Sequence, residues 1–208
     1  MEVLVLITYE LVLTTYEKAG WLRDMETWLK DLVIQIDDAT ARLIATVGQL
    51  TDEQVGEPSL LPGWTRGHVL THIARAAEAH RNLLEAARTG TDIPAYASQD
   101  ARDTAIEKGA SRLVAEHIAD IERTAALFRA AVDTVPLNAW TTSVTILHLE
   151  PFPASQVVLR KLVELELHHV DLNAGYRPAD WPVTFAPLEL PEPMRSQAAD
   201  RLSWFSAR

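Results

Sequence analysis

Three observations predict an all-α protein, a four-helix bundle with a crossover loop. Four long segments carry apolar residues at helical spacing. Their ends carry residues that cap or stop helices. The 208 residues, 48% hydrophobic and 23% charged, suffice for one substantial core.

The elements follow in order. The first helix is expected from about Trp28 to Leu50, with Leu32, Ile36, Ala39, Leu43, Ile44 and Val47 on one stripe. Pro58, Pro62 and Gly63 break the chain, and Thr65 is placed to cap a second helix running to about Arg88. Residues 89–94, Thr-Gly-Thr-Asp-Ile-Pro, read as a loop. A short helix is predicted from Gln99 to Lys108, then a third long one, capped by Ser111, to about Val135. Leu137 to Pro153 is a connection, with a brief strand near Val144–Leu147. Ser155 is expected to cap the fourth helix, which stops at Asn173-Ala174-Gly175. A last helix is expected within Pro191–Phe205. There are no internal repeats or low-complexity tracts.

Charge narrows the function. The formal net charge is -10 and the pI about 5.1. An acidic chain without basic clusters does not suit nucleic acid, whose phosphates demand Lys and Arg. It does not suit an anionic membrane surface either. With both set aside, a small molecule is the expected partner. The cysteine count is zero, which excludes disulfides and thiolate–metal sites. No export signal is evident, so the cytoplasm is the expected compartment.

The chemistry concentrates in Lys161-Leu162-Val163-Glu164-Leu165-Glu166-Leu167-His168-His169-Val170-Asp171-Leu172, a run without Gly or Pro. Glu164 and His168 are four apart, so on a helix they share a face with Cβ atoms about 6 Å apart. Such a pair is commonly an ordinary surface pair. Here apolar residues flank it on nearly all sides, among them Val157, Val158, Leu162, Val163, Leu165 and Leu167. A helix apolar all round is buried, and buried Glu and His need partners or a metal. Upstream, Leu61-Pro62-Gly63-Trp64-Thr65-Arg66-Gly67-His68-Val69-Leu70-Thr71-His72 offers two further histidines, themselves four apart, and spacing alone does not choose between them. His68 falls in the first helical turn, where it can cover the helix end. Two His and one carboxylate leave an open position on a metal, the pattern of a catalytic site. His169 points about 100° away from His168 and reads as a core or supporting group. Asp171 either holds an imidazole N–H or faces solvent. His80, His117 and His148 show no partner pattern, and Trp64, Trp140 and Trp181 read as core.

Three segments, LPGWTRGHVLTHIARAAE, ARTGTDIPAYASQDARD and LRKLVELELHHVDLNAGYRPADWP, resemble the mycothiol-dependent maleylpyruvate isomerases. More broadly they resemble the DinB-like metal-binding four-helix bundles. The resemblance runs from about Trp28 to about Trp181. It implies that His72, Glu164 and His168 ligate a divalent metal, usually zinc, and that mycothiol is the thiol cosubstrate. It also implies the reaction: a thiol adds to a cis double bond, the bond rotates, and the thiol leaves to give the trans acid. Since no side chain here carries a nucleophilic sulfur, the thiol must come from outside. An arginine clamp for the diacid is expected; Arg66, Arg75 and Arg160 are nearby in sequence and none is assigned. Isomerase and thiol S-transferase both stay open, and so does a non-catalytic metal-binding or regulatory protein of the same fold.

The resemblance divides the chain into residues 1–24, 25–182 and 183–208: a leader outside it, a metal-binding bundle and a short, partly helical tail. The family's start is expected near Met25. The leader's β-branched, apolar character marks it for edge pairing. With Glu2, Glu10 and no basic start, it is neither a signal peptide nor a membrane span. A neighbouring subunit is one partner that would order it, so a homo-oligomer stays open. Family members carry a further C-terminal α/β domain that contributes to the active site. The roughly thirty residues after Trp181 are too few for it, so either the chain is truncated or its chemistry differs.

Overall fold

The structure is a computed structural model that describes residues 2–147, 149–185 and 190–206, the first of these at the backbone alone for residues 2–19, 21 and 22. The expected bundle is there. Its long helices are α1 (Glu2–Val47), α3 (Arg66–Thr89), α5 (Val114–Thr134) and α6 (Ser155–Asp171). The short α2 (Asp52–Val55), α4 (Gln99–Gly109) and α7 (Met194–Ser206) complete the helical set among the described residues. α3 packs on α5 and α6, and α1 packs on the same two. The connections from α1 to α3 and from α5 to α6 therefore cross the bundle. Leu32, Ile36, Ala39, Leu43 and Val47 of α1 are all buried, as their stripe predicts. The expected brief strand is residues Ser143–Val144, paired antiparallel with Phe152–Pro153.

Four expectations need correction. The leader is not β-structured: α1 begins at Glu2 and runs without a break through Met25. Helix propagation from the amphipathic part outweighs the modest cost of β-branched residues in a helix. Ser111 does not cap α5, whose cap is Leu113; there Glu116 accepts from the Leu113 backbone N–H at 2.8 Å. Ser155 lies inside the first turn of α6, and the cap position is Ala154. The last helix starts at Met194, later than Pro191, because Glu192 precedes a proline, which disfavours the helical region for it. His148 lies outside the described residues.

The segment before α3 sets the site. Thr65 is the N-cap, and its hydroxyl accepts from the His68 backbone N–H. Arg66 is buried and reaches across to the end of α6, donating to the carbonyls of Leu172 at 2.8 Å and Asn173 at 3.0 Å. Asn173 has left the helix with a φ of 53°, which turns the carbonyls at that end toward Arg66. The Leu60 N–H donates to the Asp171 carbonyl at 2.8 Å. These bonds fix the start of α3 against the end of α6, and so fix which residues of the two helices meet. Gly67 lets α4 approach, since a Cβ there would lie 1.9 Å from the Ala110 carbonyl oxygen.

Candidate metal centre

His72 is one and a half turns into α3, and Glu164 and His168 share the facing stripe of α6. His72 Nε2 lies 3.1 Å from Glu164 Oε2 and 3.0 Å from His168 Nε2. His168 Nε2 lies 3.1 Å from the same Glu164 oxygen. The sequence-predicted trio thus converges in a near-equilateral triangle. Tetrahedral zinc, with bonds near 2.0–2.1 Å, separates its ligand atoms by roughly 3.3 Å. The triangle lies within a few tenths of an ångström of that spacing, and two imidazole nitrogens with one carboxylate oxygen form a suitable donor set. Among the described residues it is the one group of three or more such side chains able to hold a metal ion.

The surroundings orient each ring. Asp171, fully buried, takes His168 Nδ1 at 2.8 Å, which aims Nε2 at the triangle. Arg201 of α7 holds that carboxylate with two bonds, Nε to Oδ1 at 3.0 Å and Nη2 to Oδ2 at 2.6 Å. Of the two readings of Asp171, the imidazole holder is the one observed. Trp64 meets the His72 ring edge-on at 5.6 Å between centroids. Arg102, on α4, brings Nη2 to 3.3 Å from His72 Nδ1. A guanidinium only donates, so in this arrangement Nδ1 accepts and the His72 proton sits on Nε2.

Burial and the neighbouring charges set the protonation states of the three groups. Burial, then the charge of His168, lowers the His72 pKa, so this ring is neutral. Burial would lower His168 as well, but hydrogen bonds to Asp171 and Glu164 push it up to about 9. Burial raises Glu164, yet hydrogen bonds from His168 and His72 outweigh it and hold the carboxyl well below its usual range. Without an ion, Glu164 thus accepts from two imidazole N–H groups and His168 is an imidazolium between two carboxylates.

The remaining candidates sort themselves. His68 closes a capping box, its Nδ1 taking the Thr65 N–H at 3.2 Å, and its Nε2 faces Glu107 rather than the triangle. His169 turns to the far side of α6, where it bonds Thr46 and stacks on Tyr176. His80 and His117 are buried. Trp140 is core, as expected, while Trp64 and Trp181 are half-buried and pack against the core. Of the three arginines, Arg66 is spent on the α6 end and Arg75 on Asp120 at 2.7 Å. Only Arg160 lines the cavity that His72 and Glu164 open into, a space of about 400 Å³. Tyr96 and Arg102 also line it, and α7 contributes Met194 and Gln197. Sequence reasoning missed Arg102 and Arg201. Nothing in their local spacing distinguishes them from surface arginines, since each reaches the site only through tertiary packing.

A helical bundle with a His–Glu–His triangle between facing helices belongs to the DinB-like class. More narrowly, the family described as "Mycothiol maleylpyruvate isomerase N-terminal domain" matches residues 36–173, and the chain belongs to that family. The match contains all three residues of the triangle. Two solved structures are similar. The mycothiol-dependent maleylpyruvate isomerase is 29% identical with a TM-score of 0.71, and a histidine-to-alanine mutant of such an enzyme is 28% identical with a TM-score of 0.71. Each alignment covers 76% of this chain and 65% of the other, so the chain spans a little under two thirds of the length of these relatives. No curated protein matches. No helix among the described residues is long and apolar enough to cross a membrane.

Proposed function

We propose that His72, Glu164 and His168 bind one divalent metal, zinc, and that the chain is a metal-dependent enzyme working with an external low-molecular-weight thiol, mycothiol. The triangle of donor atoms, with its buried Asp171–Arg201 support, is the observation that carries this reading. The reaction is a cis–trans isomerisation of the maleylpyruvate type or a thiol S-transfer to another electrophile. The bound metal would supply a Lewis acid that keeps the thiol deprotonated at neutral pH. The chain's own residues supply the rest. Asp171 fixes the tautomer of His168 and keeps Nε2 aimed inward. Arg201 keeps Asp171 ionised and in place. Trp64 and Tyr96 provide apolar surface beside His72, and the cavity next to Glu164 has room for a small organic substrate. With zero cysteines, the sulfur nucleophile is a cosubstrate. The cytoplasm, where low-molecular-weight thiols are kept reduced, is the compartment this reading implies.

The test is purified protein, metal content by elemental analysis, and turnover of maleylpyruvate or a panel of electrophiles with mycothiol added or withheld. Turnover should require both metal and thiol, and His168→Ala should abolish it. Turnover that persists in a chelated, thiol-free sample would eliminate this reading. A protein that binds metal tightly but turns over no electrophile with any thiol would instead favour a non-catalytic role.

A further inference from the structure

The cavity has a second end, where among the described residues no anion is paired with Arg160. Arg160 lies one turn before Glu164 on α6, so both face the cavity. The Arg160 residue is only 6% exposed. Its guanidinium carbon stacks 4.0 Å from the centroid of the Phe152 ring, which occupies one face and leaves the N–H edges available. Its Nε has no hydrogen-bond partner, and among the described residues it makes no ion pair. The other buried arginines differ: Arg66 is paired with Glu57 and Arg201 with Asp171. Beside it, His80 is buried with an unpartnered Nδ1 and also lines the cavity. Lys161, the next residue on α6, is buried too and likewise makes no ion pair among the described residues. Burial lowers the pKa of Arg160 and pushes Lys161 down to about 8, and the charge of Glu164 offsets only part of that desolvation. Among the described residues, the carboxylate that acts on both cations is Glu164, and it is already shared by two imidazoles. Leaving a guanidinium buried and unpaired is costly, and the cost is recovered when a ligand brings the missing charge.

We infer that the Arg160 end of this cavity is a carboxylate subsite, which holds an acid group of the organic substrate by the free edge of the guanidinium. This deepens the proposed function and rests on it only for the identity of the ligand as the electrophile. A planar guanidinium fixed on an aromatic ring presents two parallel N–H groups, the geometry a carboxylate accepts. The other end of the same molecule would then lie toward Glu164 and His72.

The test is calorimetric titration of the full chain with maleate, a cis dicarboxylate, and with its neutral dimethyl ester. Both are run on zinc-free and zinc-loaded protein, with zinc affinity measured separately. Maleate should bind the zinc-free wild type. Arg160→Gln should weaken it roughly tenfold or more, as expected for a lost charge-assisted pair. Arg160→Lys should retain part of the affinity, and the ester should not bind. His168→Ala should lose zinc but keep maleate binding within a few-fold in the zinc-free state. The subsite is overturned if maleate fails to bind the wild type, if Arg160→Gln binds it equally well, or if the ester competes with it. Arg160→Lys and the ester comparison decide the matter if Arg160→Gln does not fold. Zinc binding without maleate binding would sink the subsite and leave the metal reading standing; the reverse result would do the opposite.

Discussion

On one face of α6, Glu166 and His169 are closed off by their own protein. Glu166, 1% exposed, takes Arg42 Nη2 at 2.6 Å and the Tyr176 hydroxyl at 2.6 Å. His169 bonds the Thr46 hydroxyl at 2.8 Å and stacks on Tyr176. On the other face, Glu164 and His168 meet no permanent cation at the triangle; they meet His72 and each other. The same two residue types, two positions apart for Glu and adjacent for His, thus serve opposite purposes. A glutamate held at both oxygens by Arg and Tyr and sealed from solvent is not offered to a ligand. A glutamate that accepts from two imidazoles has partners that a metal ion can replace, which is the arrangement the proposed site requires. The lesson is that burial and partners change together: Glu166 and His169 are fully buried and closed by their own protein, whereas Glu164 and His168 keep partial exposure and meet only each other and His72 at the triangle.

The largest expected effect separates the two glutamates. Glu164→Gln should lower zinc affinity by orders of magnitude, because it removes an anionic ligand. Glu166→Gln should leave zinc affinity unchanged within about twofold. It should cost roughly 2–3 kcal/mol of stability, since it breaks a pair buried on the carboxylate side, though Arg42 is partly solvated. Zinc competition and urea unfolding measure both; equal effects of the two variants on zinc would erase the distinction. Next comes the support of the open face. Arg201→Gln frees Asp171 and should weaken zinc binding about 10- to 100-fold, although Arg201 touches no ligand atom. An unchanged zinc affinity would mean that α7 only covers the site.

Smaller effects concern protons. His168, with its pKa raised to about 9, is charged at neutral pH, while His72 is neutral. Zinc binding near pH 7 should therefore release about one proton per chain, measurable by calorimetry in buffers of different ionisation enthalpy. A release near zero would contradict the imidazolium assignment. The neighbouring histidines should also give opposite pH signs. For His168, raised above its unfolded value, the stabilisation is complete below about pH 6.5 and is lost as pH rises through about 9. Burial lowers His169 to about 4, so its contribution is complete above about 6.5 and is lost as pH falls toward 4. NMR titration of the two imidazoles in zinc-free protein would show both; parallel titration would remove the contrast between the faces.

Much of this was legible in the sequence. The apolar stripe from Leu32 to Val47, the Thr65 cap and the stop at Asn173–Gly175 are local signals that the structure bears out, while the equally local caps at Ser111 and Ser155 fall elsewhere. Glu164 and His168 are four apart on one helix, so their meeting needs only helical geometry. His72 required the family resemblance, because nothing local says which face of α3 turns to α6; Arg66 and Leu60 settle that from across the bundle. The contribution of Arg102 and Arg201 depends wholly on where α4 and α7 dock. The leader departs from its β-branched composition, which suggests strand, because α1 extends back through it to Glu2.

X-ray absorption of the zinc-loaded chain tests the central claim most directly. The account predicts one zinc per chain with two imidazole nitrogens and at least one oxygen at about 2.0–2.1 Å. It also predicts that this signal is lost in the Glu164→Gln, His168→Ala double variant. A spectrum with one imidazole or none, or the same zinc stoichiometry in the double variant, would contradict it.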